Sequence, residues 1–202
     1  MVDPPGRVGS PGERPASSIP ELLSRVAERT ESLLRPPYVL YGHSLGALLA
    51  FETARRVPAD RAPRLLVVSG RNGPAVPSAA GEIHCLPDGE LLDAVDKMDR
   101  ALPPLRDTPD LAELFLPVLR ADLKLAETYA YSEGPPLSCP ILSLQGEDDP
   151  VVTRAGVATW AAQTTGRCTF RWLPGEHLFH LSGTRLPAEV PELISEALSS
   201  PA

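Results

Sequence analysis

The stretch Tyr38-Val39-Leu40-Tyr41-Gly42-His43-Ser44-Leu45-Gly46-Ala47-Leu48-Leu49-Ala50-Phe51-Glu52 decides how this chain is read. Its first four residues are apolar, aromatic or β-branched, the composition of a short buried strand. From Ala47 onward good helix formers dominate, and Arg55-Arg56 closes the run where the negative pole of a helix dipole falls. Between the two lies Gly42-His43-Ser44-Leu45-Gly46, a G-x-S-x-G sequence on a strand-to-helix turn. Such a turn is sharp and strained, and it pushes the serine hydroxyl into the open. Ser44 is therefore the candidate nucleophile. The backbone N–H of Leu45, at the positive end of the helix, is the candidate oxyanion donor. Gly42 and Gly46 are expected to give the turn its room.

Outward from this stretch, periodicity predicts alternating helices and strands. A helix starts after the cap Ser18, with Pro20 and Glu21 in its first turn, and stops at Pro36-Pro37. Strands are predicted at Leu65–Ser69, Pro140–Leu144 and Cys168–Leu173, and helices around Val157–Ala162 and Glu189–Leu198. Strands alternating with helices imply an α/β fold with a mostly parallel sheet and helices on both faces. One region breaks the alternation. Residues 88–131 show only helical patterns, Glu90–Asp99 and Asp110–Tyr131, the second interrupted by Pro117. Leu111, Leu114, Phe115, Val118, Leu119 and Leu123 follow helical spacing, which suits core packing of an inserted segment or a lid over a groove. Residues 1–17, rich in Pro and Gly, read as an irregular arm.

A nucleophilic serine needs a base, and the base needs an orienting acid. Two strands end in loops that supply them. Gln145-Gly146-Glu147-Asp148-Asp149-Pro150 follows one, and Pro174-Gly175-Glu176-His177 the other. Both loops fall on the edge of a parallel sheet that carries Ser44, where such sheets place their sites. His177 is the candidate base, ahead of His180 inside the next apolar segment. Asp149 is preferred to Asp148 as the acid, because a residue before proline is held extended. His43, beside the nucleophile, is expected to point away from it and to serve as a packing or supporting residue, and His84 to be structural or exposed.

The 202 residues suggest a single domain, and 43% hydrophobic content is enough for a packed core. A net charge of −7 disfavours a nucleic acid partner, since phosphate neutralisation needs clustered cations. No apolar run reaches the ~18 residues of a membrane span. The three cysteines, Cys85, Cys139 and Cys168, match no zinc spacing and suit a reducing cytoplasm. The chemistry requires no metal or cofactor.

Several blocks resemble the type II thioesterases of polyketide and nonribosomal peptide synthesis. They include Tyr41 to Glu52, Ser69-Gly70-Arg71, His84-Cys85-Leu86-Pro87-Asp88, Leu116 to Asp122, Glu127-Thr128-Tyr129, Leu137-Ser138-Cys139-Pro140 and Gly175-Glu176-His177. The resemblance implies an α/β-hydrolase fold with a helical lid. It implies hydrolysis of acyl thioesters on the phosphopantetheine arm of an acyl or peptidyl carrier protein, in an editing role. The triad roles then fall on Ser44, Asp149 and His177. Arg120 and Lys124 are the expected docking residues for the carrier. Members of that family carry about fifty further residues before the region matched here, including the loop that normally supplies the second oxyanion donor. Those strands are therefore expected to be missing from the sequence as it stands, with a start upstream as the favoured explanation. A general esterase or acyltransferase, and a catalytically inert carrier-binding module, are the alternatives.

Overall fold

The computed structural model describes residues 13–78, 81–98, 107–179 and 189–199. Its core is a four-stranded parallel sheet in the order β1 (Val39–His43), β2 (Leu65–Ser69), β3 (Ile141–Gly146), β4 (Cys168–Leu173). The two central strands are buried along their whole length, whereas β1 and β4 lie at the edges of the described sheet. Period-two alternation sends successive β2 side chains to opposite faces. Leu66 and Val68 join Ile141, Phe51 and Trp160 in one cluster. Leu65 and Val67 join Leu142, Leu144, Phe179 and Val190 in another.

Helices fill both faces. On one, α2 (Leu45–Arg56) lies against β1 and β2 and buries Ala47, Ala50, Phe51 and Ala54. Helix α1 (Ile19–Thr30) packs over α2 through Leu22 and Leu23. The Ser18 hydroxyl accepts from the Glu21 N–H and caps α1, as its sequence predicts. Residues 1–12 of the expected arm lie outside the described residues. The remainder is irregular and tied to α1 by the ion pairs Arg14–Glu21 and Arg29–Glu13. On the opposite face, α6 (Glu189–Ser199) covers the second cluster through Val190, Leu193 and Ile194.

Between β2 and β3 the chain inserts α3 (Asp88–Asp96) and α4 (Pro109–Glu127). Pro117 does not interrupt α4, contrary to the expectation from sequence. Proline removes a hydrogen bond to the carbonyl four residues back. Here that carbonyl belongs to Glu113, which is exposed, so water can satisfy it. Leu111, Leu114 and Phe115 are exposed rather than packed in the core. The helix expected at Val157–Ala162 is instead the short α5 (Arg154–Ala158), running into a 3₁₀ turn at Thr159–Gln163. No helix among the described residues is long and apolar enough to cross a membrane.

Trp160 is fully buried, meets Phe51 edge-on at 5.4 Å between ring centroids, and donates its indole N–H to the Arg71 carbonyl. Trp160→Ala is expected to lower unfolding free energy in urea by about 3–5 kcal/mol. Leu114→Ala, at an exposed position, should stay within about 0.5 kcal/mol of wild type.

Candidate active site

Parallel pairing brings the carboxyl ends of all four strands to one edge, and the site is built from the loops that leave it. Strand β1 runs directly into α2 through Ser44. This residue has φ 51° and ψ −117° and is the one non-glycine with positive φ among the described residues. The turn is held by the Ser44 N–H, which donates to the Ser69 carbonyl of β2 at 2.8 Å. Ser44 stands at the helix N-cap, yet its side chain makes no cap hydrogen bond. A serine there ordinarily spends its oxygen on the first-turn amides. The Ala47 N–H is taken by the Ser44 carbonyl at 3.0 Å, while the Ser44 hydroxyl, free of capping, and the Leu45 N–H remain available to a ligand.

Gly42 is what lets the turn close. A Cβ there would lie 2.0 Å from the Gly46 carbonyl oxygen. Gly46 itself is under no such constraint, since a Cβ there meets nothing within 4 Å. The room expected of both glycines is thus required of Gly42 alone.

The loops after β3 and β4 are stitched together. The Glu147 N–H donates to the Leu173 carbonyl and the Asp148 N–H to the Gly175 carbonyl. Asp149 is buried and Asp148 exposed. The Asp149 Oδ2 lies 2.9 Å from the His177 Nδ1, and its Oδ1 accepts from the Val151 N–H at 2.8 Å. An ionised carboxylate only accepts, so His177 carries its proton on Nδ1 and leaves Nε2 with a lone pair. The His177 main-chain N–H also donates to the Met98 carbonyl, just past α3. His180 lies outside the described residues.

Ser44 and His177 line one cleft of about 380 Å³. Leu45 and Leu49 of α2, Leu178, and Val95, Met98, Leu119, Leu123 and Ala126 of the insertion complete an apolar wall. The insertion thus roofs the site. A wider depression of about 660 Å³, bordered by Glu28, Arg35 and Arg61, opens at the amino ends of β1 and β2, away from these groups.

His43 packs beside the site as expected, but its orientation, and the role of Arg71, were not legible from sequence. His43 does not point away: its ring lies 4.8 Å from that of His177, and its Nδ1 is hydrogen-bonded to the Ser69 hydroxyl at 3.1 Å. Gly70, with φ +58°, makes the space, since a Cβ there would lie 2.3 Å from the His43 ring. Arg71, 6% exposed, donates to the Ala126 carbonyl and so ties the sheet edge to the roof helix. Burial pushes its guanidinium pKa below the usual value, with the Tyr129 hydroxyl acting in the opposite sense. The signal for Arg71 was its place just beyond a buried strand. Arg120, expected to dock a partner, is instead engaged with the carbonyls of His84 and Leu86 and with the Asp88 carboxylate. It clamps α4 to the turn before α3, whereas Lys124 is exposed.

Comparison with known families matches residues 1–198 to the thioesterase domain. The gramicidin S biosynthesis protein GrsT of Aneurinibacillus migulanus is 32% identical over 177 residues, covering 87% of this chain and 69% of that protein. The chain belongs to the thioesterase family. Its fold superposes on the type II thioesterase BorB of the borrelidin biosynthetic cluster with a TM-score of 0.87 and 34% identity, over 98% of this chain and 80% of BorB. YbtT, a type II thioesterase from the yersiniabactin NRPS/PKS pathway, gives 0.82 and 30%, over 98% and 82%. Sequence and fold group this thioesterase with the type II enzymes of polyketide and nonribosomal peptide pathways, on an α/β-hydrolase scaffold.

The two glycines of the turn should separate experimentally. Gly42→Ala is expected to yield insoluble or markedly destabilised thioesterase, whereas Gly46→Ala folds with a melting temperature close to wild type. Thermal unfolding followed by circular dichroism reads both.

Proposed function

We propose that this thioesterase hydrolyses acyl groups from the phosphopantetheine thiol of carrier proteins, using Ser44, His177 and Asp149. The observation that carries the reading is that Ser44 and His177 line one cleft, with buried Asp149 bonded to the His177 Nδ1 and the Ser44 side chain making no helix-capping hydrogen bond. Ser44 Oγ attacks the thioester carbonyl while His177 Nε2 takes its proton. Asp149 holds the imidazole in the required tautomer and stabilises the imidazolium that forms. The Leu45 N–H, at the start of α2, faces the developing oxyanion. The carbon–sulfur bond then breaks, and the thiol leaves with the proton from His177. A thiol has a reference pKa of ~8.5 and needs less help in leaving than an amine. Water, deprotonated by His177, releases the acid and restores Ser44.

The apolar wall of the cleft suits an acyl chain. GrsT is a gramicidin S biosynthesis protein and YbtT a type II thioesterase of an NRPS/PKS pathway, which supports the carrier arm as substrate and an editing role. Three free cysteines fit action in the reducing cytoplasm. With Arg120 committed to the roof, docking would fall to exposed Lys124 and the exposed apolar residues of α4.

Hydrolysis of a propionyl-pantetheine thioester tests the reading. Turnover by the wild type that vanishes in Ser44→Ala is the expected result. Asp149→Asn should lower kcat by about 10³–10⁴-fold. Asp148→Asn, on the exposed neighbour, should leave kcat near wild type. Equal turnover by wild type and Ser44→Ala would overturn the mechanism.

A further inference from the structure

A second nucleophile-and-base arrangement lies outside the Ser44 cleft. His84 and Cys85 share the 3₁₀ turn Ile83–Cys85, ahead of α3. The His84 Nε2 lies 3.3 Å from the Cys85 Sγ, and its Nδ1 lies 2.5 Å from Oε2 of Glu127, the last residue of α4. The same Glu127 oxygen accepts from the His84 main-chain N–H. The Glu127 side chain is only 5% exposed, and its other oxygen is buried with no hydrogen-bond partner. None of the three residues lines the Ser44 cleft. Cys85 is exposed to solvent.

The order of groups repeats the logic of a catalytic triad with a thiol in place of the hydroxyl. Glu127 accepts from Nδ1 and so presents the Nε2 lone pair to Cys85. The His84 Nε2, 3.3 Å from the Cys85 Sγ, stands where it can take the thiol proton as the sulfur attacks. The turn is not free to drift, because Arg120 donates to the carbonyls of His84 and Leu86 and to the Asp88 carboxylate.

We propose that Cys85, with His84 and Glu127, is a reactive thiol site that forms mixed disulfides with small disulfide molecules. The Cys85 sulfur, giving its proton to the His84 Nε2, attacks one sulfur of R–S–S–R, and a Cys85–S–S–R bond forms as the original S–S bond breaks. Its electron pair leaves on R–S⁻, which takes up the proton from His84. The incoming disulfide is the oxidant, and one R–SH is released per Cys85 modified. Such exchange needs a thiolate with open access and develops no oxyanion, which suits a solvent-facing turn. The other two thiols are poorer nucleophiles. Burial raises the pKa of both, and that of Cys168 reaches about 12. This site is independent of the Ser44 reading.

The test uses the full chain at neutral pH with dipyridyl disulfide, followed by release of thiopyridone and by peptide mapping. One fast equivalent is expected, mapped to Cys85. It should react at least about tenfold faster than the isolated peptide Glu82–Asp88, which keeps His84 but lacks Glu127. His84→Gln and Glu127→Gln should each bring Cys85 down toward the peptide's rate, with circular dichroism confirming that the variants are folded. If either variant fails to fold, the comparison of wild type with peptide still decides. Wild-type Cys85 reacting at the peptide's rate overturns the proposal, as does a fast phase that survives both substitutions.

Discussion

Parallel pairing of four strands is the constraint on which the rest of the molecule depends. Register sets His43 opposite Ser69, Ser69 opposite Leu144, and Gly146 opposite Leu173. Each strand therefore ends at nearly the same level, and every loop that follows begins on one edge. Groups far apart in sequence meet there because the ladder leaves them no alternative. The two inner strands are buried on both faces, so a slip in register would displace both apolar clusters together.

Strain at Ser44 is held by that frame. A non-glycine residue in this region of backbone space costs on the order of 1–3 kcal/mol. The Ser44 N–H bond to Ser69 and the burial of α2 from Leu45 to Ala54 keep it in place. Glu52 adds a second anchor: it is buried in α2, pairs with Arg55 and Arg56, and accepts from the Tyr129 hydroxyl beyond α4. Through Tyr129 on one side and Arg71 to Ala126 on another, the helical insertion is bound to the elements that carry the site. The cleft between Ser44 and α4 is shaped by those bonds.

Much of this was legible in the sequence. Strand β2 has the bounds its apolar run predicts, because a buried parallel strand reads as an uninterrupted hydrophobic segment, and β4, half-buried at the edge of the described sheet, has the bounds predicted from its partly alternating residues. Ser44, Asp149 and His177 each follow a strand, so topology alone brings them to one edge. The residues that escaped are those whose roles depend on tertiary neighbours. Nothing local in Arg120 distinguishes a surface cation from one clamped on two carbonyls. His43 turns toward His177 only because Gly70, just past the end of β2, leaves it space. Pro117 reads as a helix break, yet exposure of the affected turn removes most of its cost. The pairing of His84 with Glu127 spans the whole insertion and has no signature in either segment.

The central claim is that the turn at residue 44 presents an activated serine. A fluorophosphonate probe, followed by peptide mapping, tests it most directly. The account predicts a single adduct on Ser44, formed rapidly in the wild type and slowly in His177→Ala. A folded protein that takes no label, or takes it on another hydroxyl at an undiminished rate, would contradict it.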